Sequence, residues 1–578
     1  MDAPSSYTDF MVIRAESSPL KLPVERPAGN PTLARFLLDQ LAEAGVDTVF
    51  GIPGDFILRL CQVIDEDPRF RFRTLSHEPG VGFAASGAAR GTQGLGVACV
   101  TYGAGALNLV NPVAAAYAEK TPVLVLTGGP GEDERSRGIL VHHQVKSFES
   151  QVKVFREVTH YQAVLNDPAT AAEQVRYAID VCRLFSLPVY LEVPRDMVDR
   201  EIRLSPVRQL AVPVSPGAVE EAAGEILRKL AAARRPVLVV GVEVHRQRLA
   251  PQVVRLAERL GLTVVSTFMG RGTFPAGHPQ YAGVYLGPAS PPGVRELVEE
   301  SDFLLMLGAL VTDTNMGVRI TAIDPRNIAL AVSRQVEVGY HVYPEVPLGD
   351  LVAQLLAHPE SRSRDDFVRS ARRPFMRADD EPSPGPVRVA AMIAEINRLF
   401  AERGEMPVVT DTGDCLFCSH EIDTQMVLAS AYYATMGFGV PAALGFEATT
   451  GMRPLVLVGD GGFQMTGWEL IHAGRWGAKP IVVLMNNGSW EMLQSFLPSG
   501  YNGLPDGRYA EIARLWGFAA WRVDTAAGLR QALSEAWEGD RPALIEVLLA
   551  PGDISSTLYT FTRNVGTTPP PPAGSVVR

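Results

Sequence analysis

Residues 455–487 read LVLVGDGGFQMTGWELIHAGRWGAKPIVVLMNN. The runs 455–458 and 481–485 are apolar at every position, and strands apolar on both faces belong to a parallel sheet covered by helices on each side. Between them lie Gly459-Asp460-Gly461-Gly462 and a helical stretch opened by Thr466 and Glu469, which have capping-box spacing. Asp460 and Asn487 each stand just past a strand's C-terminal end, where open α/β sheets bind ligands. Their oxygens suit Mg2+, which keeps phosphate oxygens as partners. Glycines at 461 and 462 let main-chain N–H groups approach a diphosphate.

The same alternation extends in both directions. Asn30 and Pro31 read as N-cap and first helical position, Leu33, Phe36, Leu37 and Leu41 form a stripe, and Gly45 stops it. A strand reads at 46–50, and short, mostly apolar runs follow at 97–100, 123–126 and 189–193, then at 237–240, 262–266, 303–307 and 328–332, and finally at 408–410 and 544–548. The expected fold class is α/β, with three doubly wound parallel-sheet domains. They are placed at 30–202, 203–358 and 387–555, with an N-terminal extension at 1–29, a charged, proline-rich linker at 359–386 and a C-terminal tail at 556–578.

Composition narrows the function. There are 53 Lys+Arg against 64 Asp+Glu in 578 residues, a net charge of −11, so the field that attracts a phosphate backbone is missing and nucleic acid is not expected as a partner. Five cysteines without framework spacing point to a reducing compartment. No apolar run has membrane-spanning length, and Asp2 and Asp9 stand where a signal peptide carries positive charge. A cytoplasmic enzyme with no membrane partner is expected.

Two competing motifs carry less. Gly437-Phe438-Gly439 followed by Asp460 imitates a dinucleotide fingerprint, but YYATM before it makes a poor buried strand. Cys415, Cys418 and His420 offer at most three ligands, where zinc needs four.

The pattern from Gly459-Asp460-Gly461 to Asn486-Asn487 resembles the thiamin diphosphate motif. GIPGDF (51–56), SHEPGVGFAASGAAR (76–90), VTYGAGALNLVNPVAAAYAEKTPVLVLTG (100–128) and TFMGRGTFPAGHP (267–279) fit the same enzyme family in order. The resemblance covers about residues 30–555. It implies pyrimidine-binding, central and diphosphate-binding domains, with thiamin diphosphate and Mg2+ as cofactors. By the same resemblance, Glu78 matches the acid that hydrogen-bonds the aminopyrimidine, and Asp460, Asn487 and the main-chain carbonyl of Ser489 match the Mg2+ ligands. Met436 matches the apolar wedge that bends the cofactor, and the Ala434 carbonyl accepts from its amino group. Thr412, Asp414, Gly461 and Gly462 complete the cofactor positions, and a homodimer or homotetramer is implied, since one chain's first domain and another's third share a cofactor.

Asp55 with His142-His143 resembles the 2-keto acid decarboxylases rather than acetolactate synthases or flavin-linked oxidases; such groups relay protons. One departure stands out: the catalytic glutamate of the pyruvate decarboxylase pattern falls at Leu493, and Glu491 is the only nearby acid. Asp313, at a central-domain strand end, is the candidate replacement, with capping of the next turn as its alternative role. NNGSWEMLQSF and GDGGFQMTGWEL resemble bacterial phenylpyruvate and indolepyruvate decarboxylases. Leu416, where pyruvate-specific relatives hold a large aromatic, would widen a pocket lined by Met492, Leu493 and Phe496, and the expected small-molecule substrate is an aryl 2-keto acid. Pyruvate or branched-chain 2-keto acids are the runner-up substrates, and a flavin-linked oxidase or acetolactate-type synthase is the runner-up reaction. Ordinary core packing is the alternative for these apolar residues.

Overall fold

The computed structural model describes residues 29–138, 140–206, 210, 212–316, 323–358 and 387–565. Most of the expected N-terminal extension, all of 359–386 and the chain beyond 565 lie outside them. Three sheets, mostly parallel and flanked by helices, follow one another along the chain. The first has the spatial order Arg71–Thr74, Thr48–Gly51, Gly96–Val100, Val123–Gly129, Val189–Pro194 and Tyr161–Val164, all parallel. Every residue of its three strands from 96 to 100, 123 to 129 and 189 to 194 is buried, which is why they carry no apolar/polar alternation.

The third sheet repeats that order. Val427–Ala429, Val408–Thr410, Leu455–Gly459, Ile481–Asn486, Ala543–Leu548 and Ala519–Val523 lie side by side and parallel. Counted along the chain, both sheets run second, first, third, fourth, sixth, fifth.

The middle sheet departs from the expectation of a purely parallel array. Five parallel strands, from Ile328–Val332 to Tyr281–Tyr285, gain an antiparallel edge formed by Gln335–Val338 and His341–Tyr343. The turn into that edge is Ser333-Arg334, with φ of 51° and 63°. A two-residue hairpin of this hand usually advertises itself with Asn-Gly or Asp-Gly, and neither is present.

The first helix start also differs from the sequence reading. Thr32, not Asn30, caps the first helix, Leu33–Glu43, accepting from the Arg35 N–H at 3.3 Å. Pro216 lies within the first turn of Pro216–Ala232, where its missing N–H costs nothing. Within the stretch read as a tail, Ser556–Val565 is a helix seated on the third sheet's layer, with Phe561 4.8 Å from Phe417 and Leu558 fully buried.

Helices Glu78–Thr92 and Gly439–Thr450 join the first and third units face to face. A Cβ added at Gly87 would fall 2.1 Å from the Ala442 carbonyl oxygen, and one at Gly445 would fall 2.0 Å from that of Ala84. These two glycines set how close the two backbones come.

Candidate active site

The strand ends of the third sheet gather one set of groups. Asp460 follows Leu455–Gly459 and is 2% exposed; its Oδ1 accepts from the Gly461 N–H at 2.9 Å and its Oδ2 from the Gly488 N–H at 2.8 Å. Burial pushes its pKa up to about 6, against the pull of those N–H donors. Asn487 is half-buried beyond the neighbouring strand, and its Oδ1 accepts from the Ser489 N–H at 3.1 Å. A carboxylate, an amide oxygen and the nearby Ser489 carbonyl form an all-oxygen set of the kind Mg2+ takes. The glycines beside them have a packing reason: a Cβ at Gly461 would meet the Trp490 ring at 2.4 Å, and one at Gly462 the Asp411 carboxyl at 3.0 Å.

Asp411 is a residue the sequence reading passed over. It is buried just past Val408–Thr410, and its carboxylate accepts three main-chain N–H groups: Thr412 at 2.8 Å, Gly437 at 3.0 Å and Gly439 at 2.8 Å. Desolvation raises its pKa to about 6. It thereby ties Thr412 to the loop that presents Ala434, at φ 54°, and half-buried Met436. Thr412 adds hydrogen bonds from its hydroxyl to the carbonyls of Thr435 (3.1 Å) and Ser430 (3.3 Å).

Asp414 turns elsewhere. Both carboxylate oxygens are engaged by Ser555, through its N–H at 2.8 Å and through its hydroxyl, so this side chain fastens the C-terminal helix. Its main chain opens the helix Asp414–His420.

The capping box is likewise corrected. The helix begins at Asp460 and ends at Thr466, whose hydroxyl donates to the Gly437 carbonyl at 2.5 Å. Glu469 reaches another part of the chain, accepting from the N–H groups of Ser76 (2.8 Å) and His77 (2.9 Å). Cys415 and Cys418 are buried thiols, Cys415 lying 3.6 Å from the Met485 sulfur.

In the first unit, Glu78 opens Glu78–Thr92, half-buried, with its Oε2 3.0 Å from Asn108 Nδ2. Asp55, His142 and His143 come together although 87 residues separate Asp55 from His142: His142 Nε2 is 2.5 Å from Asp55 Oδ2, and the imidazole centroids are 4.8 Å apart. All three are exposed. His143 has φ 66°, and a side chain at Gly103 would strike its carbonyl oxygen at 2.1 Å.

Asp313 is exposed at the start of the one-turn helix Asp313–Met316, accepting from the Thr314 N–H at 2.8 Å. Leu416 is buried, and Met492 packs against the same apolar cluster, with Phe268, Leu286 and Ala431. On helix Glu491–Phe496, Leu493 is exposed and Phe496 half-buried, while Glu491 is buried, accepting from the Gly552 N–H at 2.9 Å.

Comparison with known proteins identifies the three units. Residues 31–153 match the N-terminal binding domain of thiamine pyrophosphate (thiamin diphosphate) enzymes, 223–358 their central domain and 411–547 their C-terminal binding domain. Indole-3-pyruvate decarboxylase of Azospirillum brasilense is 44% identical, across 92% of this chain and 98% of its own length. Pyruvate decarboxylase of Kluyveromyces marxianus is 27% identical, across 91% of this chain and 97% of its own. Pyruvate decarboxylase 4 of Arabidopsis thaliana is 28% identical, across 92% and 91%. Among the described residues, no helix is long and apolar enough to cross a membrane.

Proposed function

The chain belongs to the thiamin diphosphate-dependent 2-keto acid decarboxylases, and we propose that it converts aryl 2-keto acids, phenylpyruvate and indole-3-pyruvate among them, to the aldehyde and CO2. The observation that carries this reading is the 44% identity, over nearly the whole chain, to a protein named for indole-3-pyruvate. Leu416 in place of a large aromatic, sharing an apolar cluster with Met492, supports it: apolar surface of this kind favours an aryl side chain by roughly 25 cal/mol per Å2 buried.

Thiamin diphosphate, when bound, supplies the electron sink that lets the carboxylate leave as CO2. The chain's own residues do the rest. Asp460, Asn487 and the Ser489 carbonyl would hold Mg2+, the main chain at Gly461, Gly462 and Asp414 and the Thr412 segment would receive the diphosphate, and Asp411 keeps that rim in shape. The Ala434 carbonyl and Met436 would orient the pyrimidine, and Glu78 would hold a proton at it. Asp55, His142 and His143 would pass a proton to the carbon that loses CO2, with Asp313 as the candidate acid where the familiar glutamate is replaced by Leu493. The family resemblance, with Glu78 opening a helix of the first unit and Asp460 one of the third, supports a homodimer or homotetramer in which two chains share each site. Five buried, unpaired cysteines support a cytoplasmic setting.

The test is CO2 release from phenylpyruvate, indole-3-pyruvate, pyruvate and branched-chain 2-keto acids, with and without thiamin diphosphate and Mg2+. Cofactor-dependent turnover with kcat/KM highest for the aryl acids is expected; a preference for pyruvate would overturn the substrate assignment.

A further inference from the structure

Glu469 and Glu119 occupy equivalent places in two sheets of equal strand order. Glu119 ends the helix Val110–Ala118, between the third and fourth strands of the first sheet. Glu469 lies in the turn Gly467–Ile471, between the third and fourth strands of the third sheet. Both carboxylates are buried, at 0% and 2% exposure, and each crosses to the opposite unit to receive two consecutive main-chain N–H groups.

The segments they hold are equivalent too. Each follows the second strand of its sheet and leads into one of the two helices packed face to face. Glu469 receives Ser76 and His77, immediately before Glu78. His77 is the N-cap of Glu78–Thr92, yet no side-chain cap bond comes from within the segment. The carboxylate from nearly 400 residues away thus serves as the cap and satisfies donors a helix start leaves open. Gly80 makes room for it: a Cβ there would sit 2.7 Å from Glu469 Oε1. His472 supports the contact, with Nε2 2.8 Å from Ser76 Oγ and 3.4 Å from Glu469 Oε2, and Arg475 donates to the Thr74 carbonyl at 2.6 Å.

In the other direction, Glu119 Oε1 receives the N–H groups of Tyr432 (2.8 Å) and Tyr433 (2.9 Å), immediately before Ala434. Its Oε2 lies 2.6 Å from the buried Arg90 guanidinium, which also donates to the Ala429 carbonyl at 2.5 Å. Asn111 adds a bond to the Thr435 hydroxyl at 2.9 Å.

We infer that Glu469 and Glu119 are reciprocal positioning residues: each unit fixes, through one buried carboxylate, the segment by which the other addresses the cofactor. Glu469 sets the place of Glu78, and Glu119 sets the place of the Ala434 carbonyl. This rests on the roles proposed above for Glu78 and Ala434.

The experiment compares Glu469→Ala, Glu469→Gln and Glu119→Gln in the full-length chain by amide hydrogen exchange, cofactor titration and steady-state kinetics with phenylpyruvate. For Glu469→Ala, exchange at Ser76 and His77 rises at least tenfold and kcat falls at least tenfold, while KM stays within twofold. Glu469→Gln keeps one acceptor, so it exposes one of the two amides and lowers kcat less; it also serves if the alanine variant does not fold. Glu119→Gln raises exchange at Tyr432 or Tyr433 and weakens thiamin diphosphate binding in the presence of Mg2+ at least tenfold, leaving Ser76 and His77 protected. Unchanged exchange in the variants, or raised exchange with kcat within twofold of wild type, overturns the inference. A wild-type chain that releases no CO2 from any 2-keto acid would overturn the proposed function instead, with exchange and cofactor affinity still deciding for or against the clamps.

Discussion

His142 Nε2 stands 2.5 Å from Asp55 Oδ2, joining the loop after the first strand of the first sheet to the segment after its fourth. Both groups are exposed, and an exposed pair of this kind contributes little to stability, with a median near 0–1 kcal/mol. Little stability is therefore at stake in the pair, so a loss of turnover without a loss of stability would speak for the proton transfer proposed above. Asp55→Asn and His142→Asn should each lower kcat for aldehyde formation at least tenfold, about 1.4 kcal/mol of barrier, with the melting temperature within a few degrees of wild type. A variant that keeps full turnover would remove the pair from the reaction.

Asp460 is buried among main-chain donors, and among the described residues no ion pair reaches its carboxylate, so a divalent ion there would satisfy its charge. Thiamin diphosphate and Mg2+ together at one hundred times their dissociation constants should stabilise the chain by about 2.7 kcal/mol, read as a rise in melting temperature. EDTA should abolish the rise, and Asp460→Asn should remove most of it. A full shift in EDTA would mean that no divalent ion takes part.

Leu416 packs with Met492 in one cluster. Leu416→Phe should lower kcat/KM for phenylpyruvate relative to pyruvate at least tenfold, at an overpacking cost of about 1–3 kcal/mol measured by urea unfolding. An unchanged ratio would return Leu416 to the core and leave pocket width to other residues.

What the sequence made legible was the backbone periodicity and the residues that stand at strand ends. Asp460, Asn487 and the buried runs announce themselves because local spacing encodes them. Asp411, Glu119 and Glu469 do not, because their partners are main-chain N–H groups, which every residue but proline owns. Glu469 misleads for a related reason: its distance from Thr466 fits a capping box, and only the packing of Glu78–Thr92 on Gly439–Thr450 brings Ser76 and His77 within its reach. The antiparallel edge of the middle sheet escaped notice because Ser333-Arg334 adopts positive φ without glycine or asparagine.

Asp313 offers a clean separation of capping from chemistry. Its carboxylate accepts the Thr314 N–H at 2.8 Å, and asparagine caps about as well as aspartate. Asp313→Asn should therefore leave the melting temperature unchanged and, if Asp313 donates the proton, lower aldehyde formation at least tenfold, about 1.4 kcal/mol. Near-normal turnover would leave it a cap and nothing more.

Glu447, on the helix Gly439–Thr450, carries a pH dependence of stability. Its Oε1 accepts the Lys479 N–H at 2.7 Å, while its Oε2 is buried without a hydrogen-bond partner. Burial raises its pKa from 4.5 to about 7, with Arg453 and Lys479 only partly opposing. The folded state thus prefers the protonated acid. Its contribution to stability is fully present below pH 4.5 and is lost as pH rises through about 7. Glu447→Gln keeps a carbonyl for Lys479 and has no charge to bury. Its advantage over wild type should be small at pH 4.5 and should grow to a plateau above pH 7 of the order of 3 kcal/mol. Urea unfolding of both proteins at pH 5, 7 and 8.5 measures it. A difference that stays constant across that range would show that Glu447 titrates in the fold as it does in the unfolded chain.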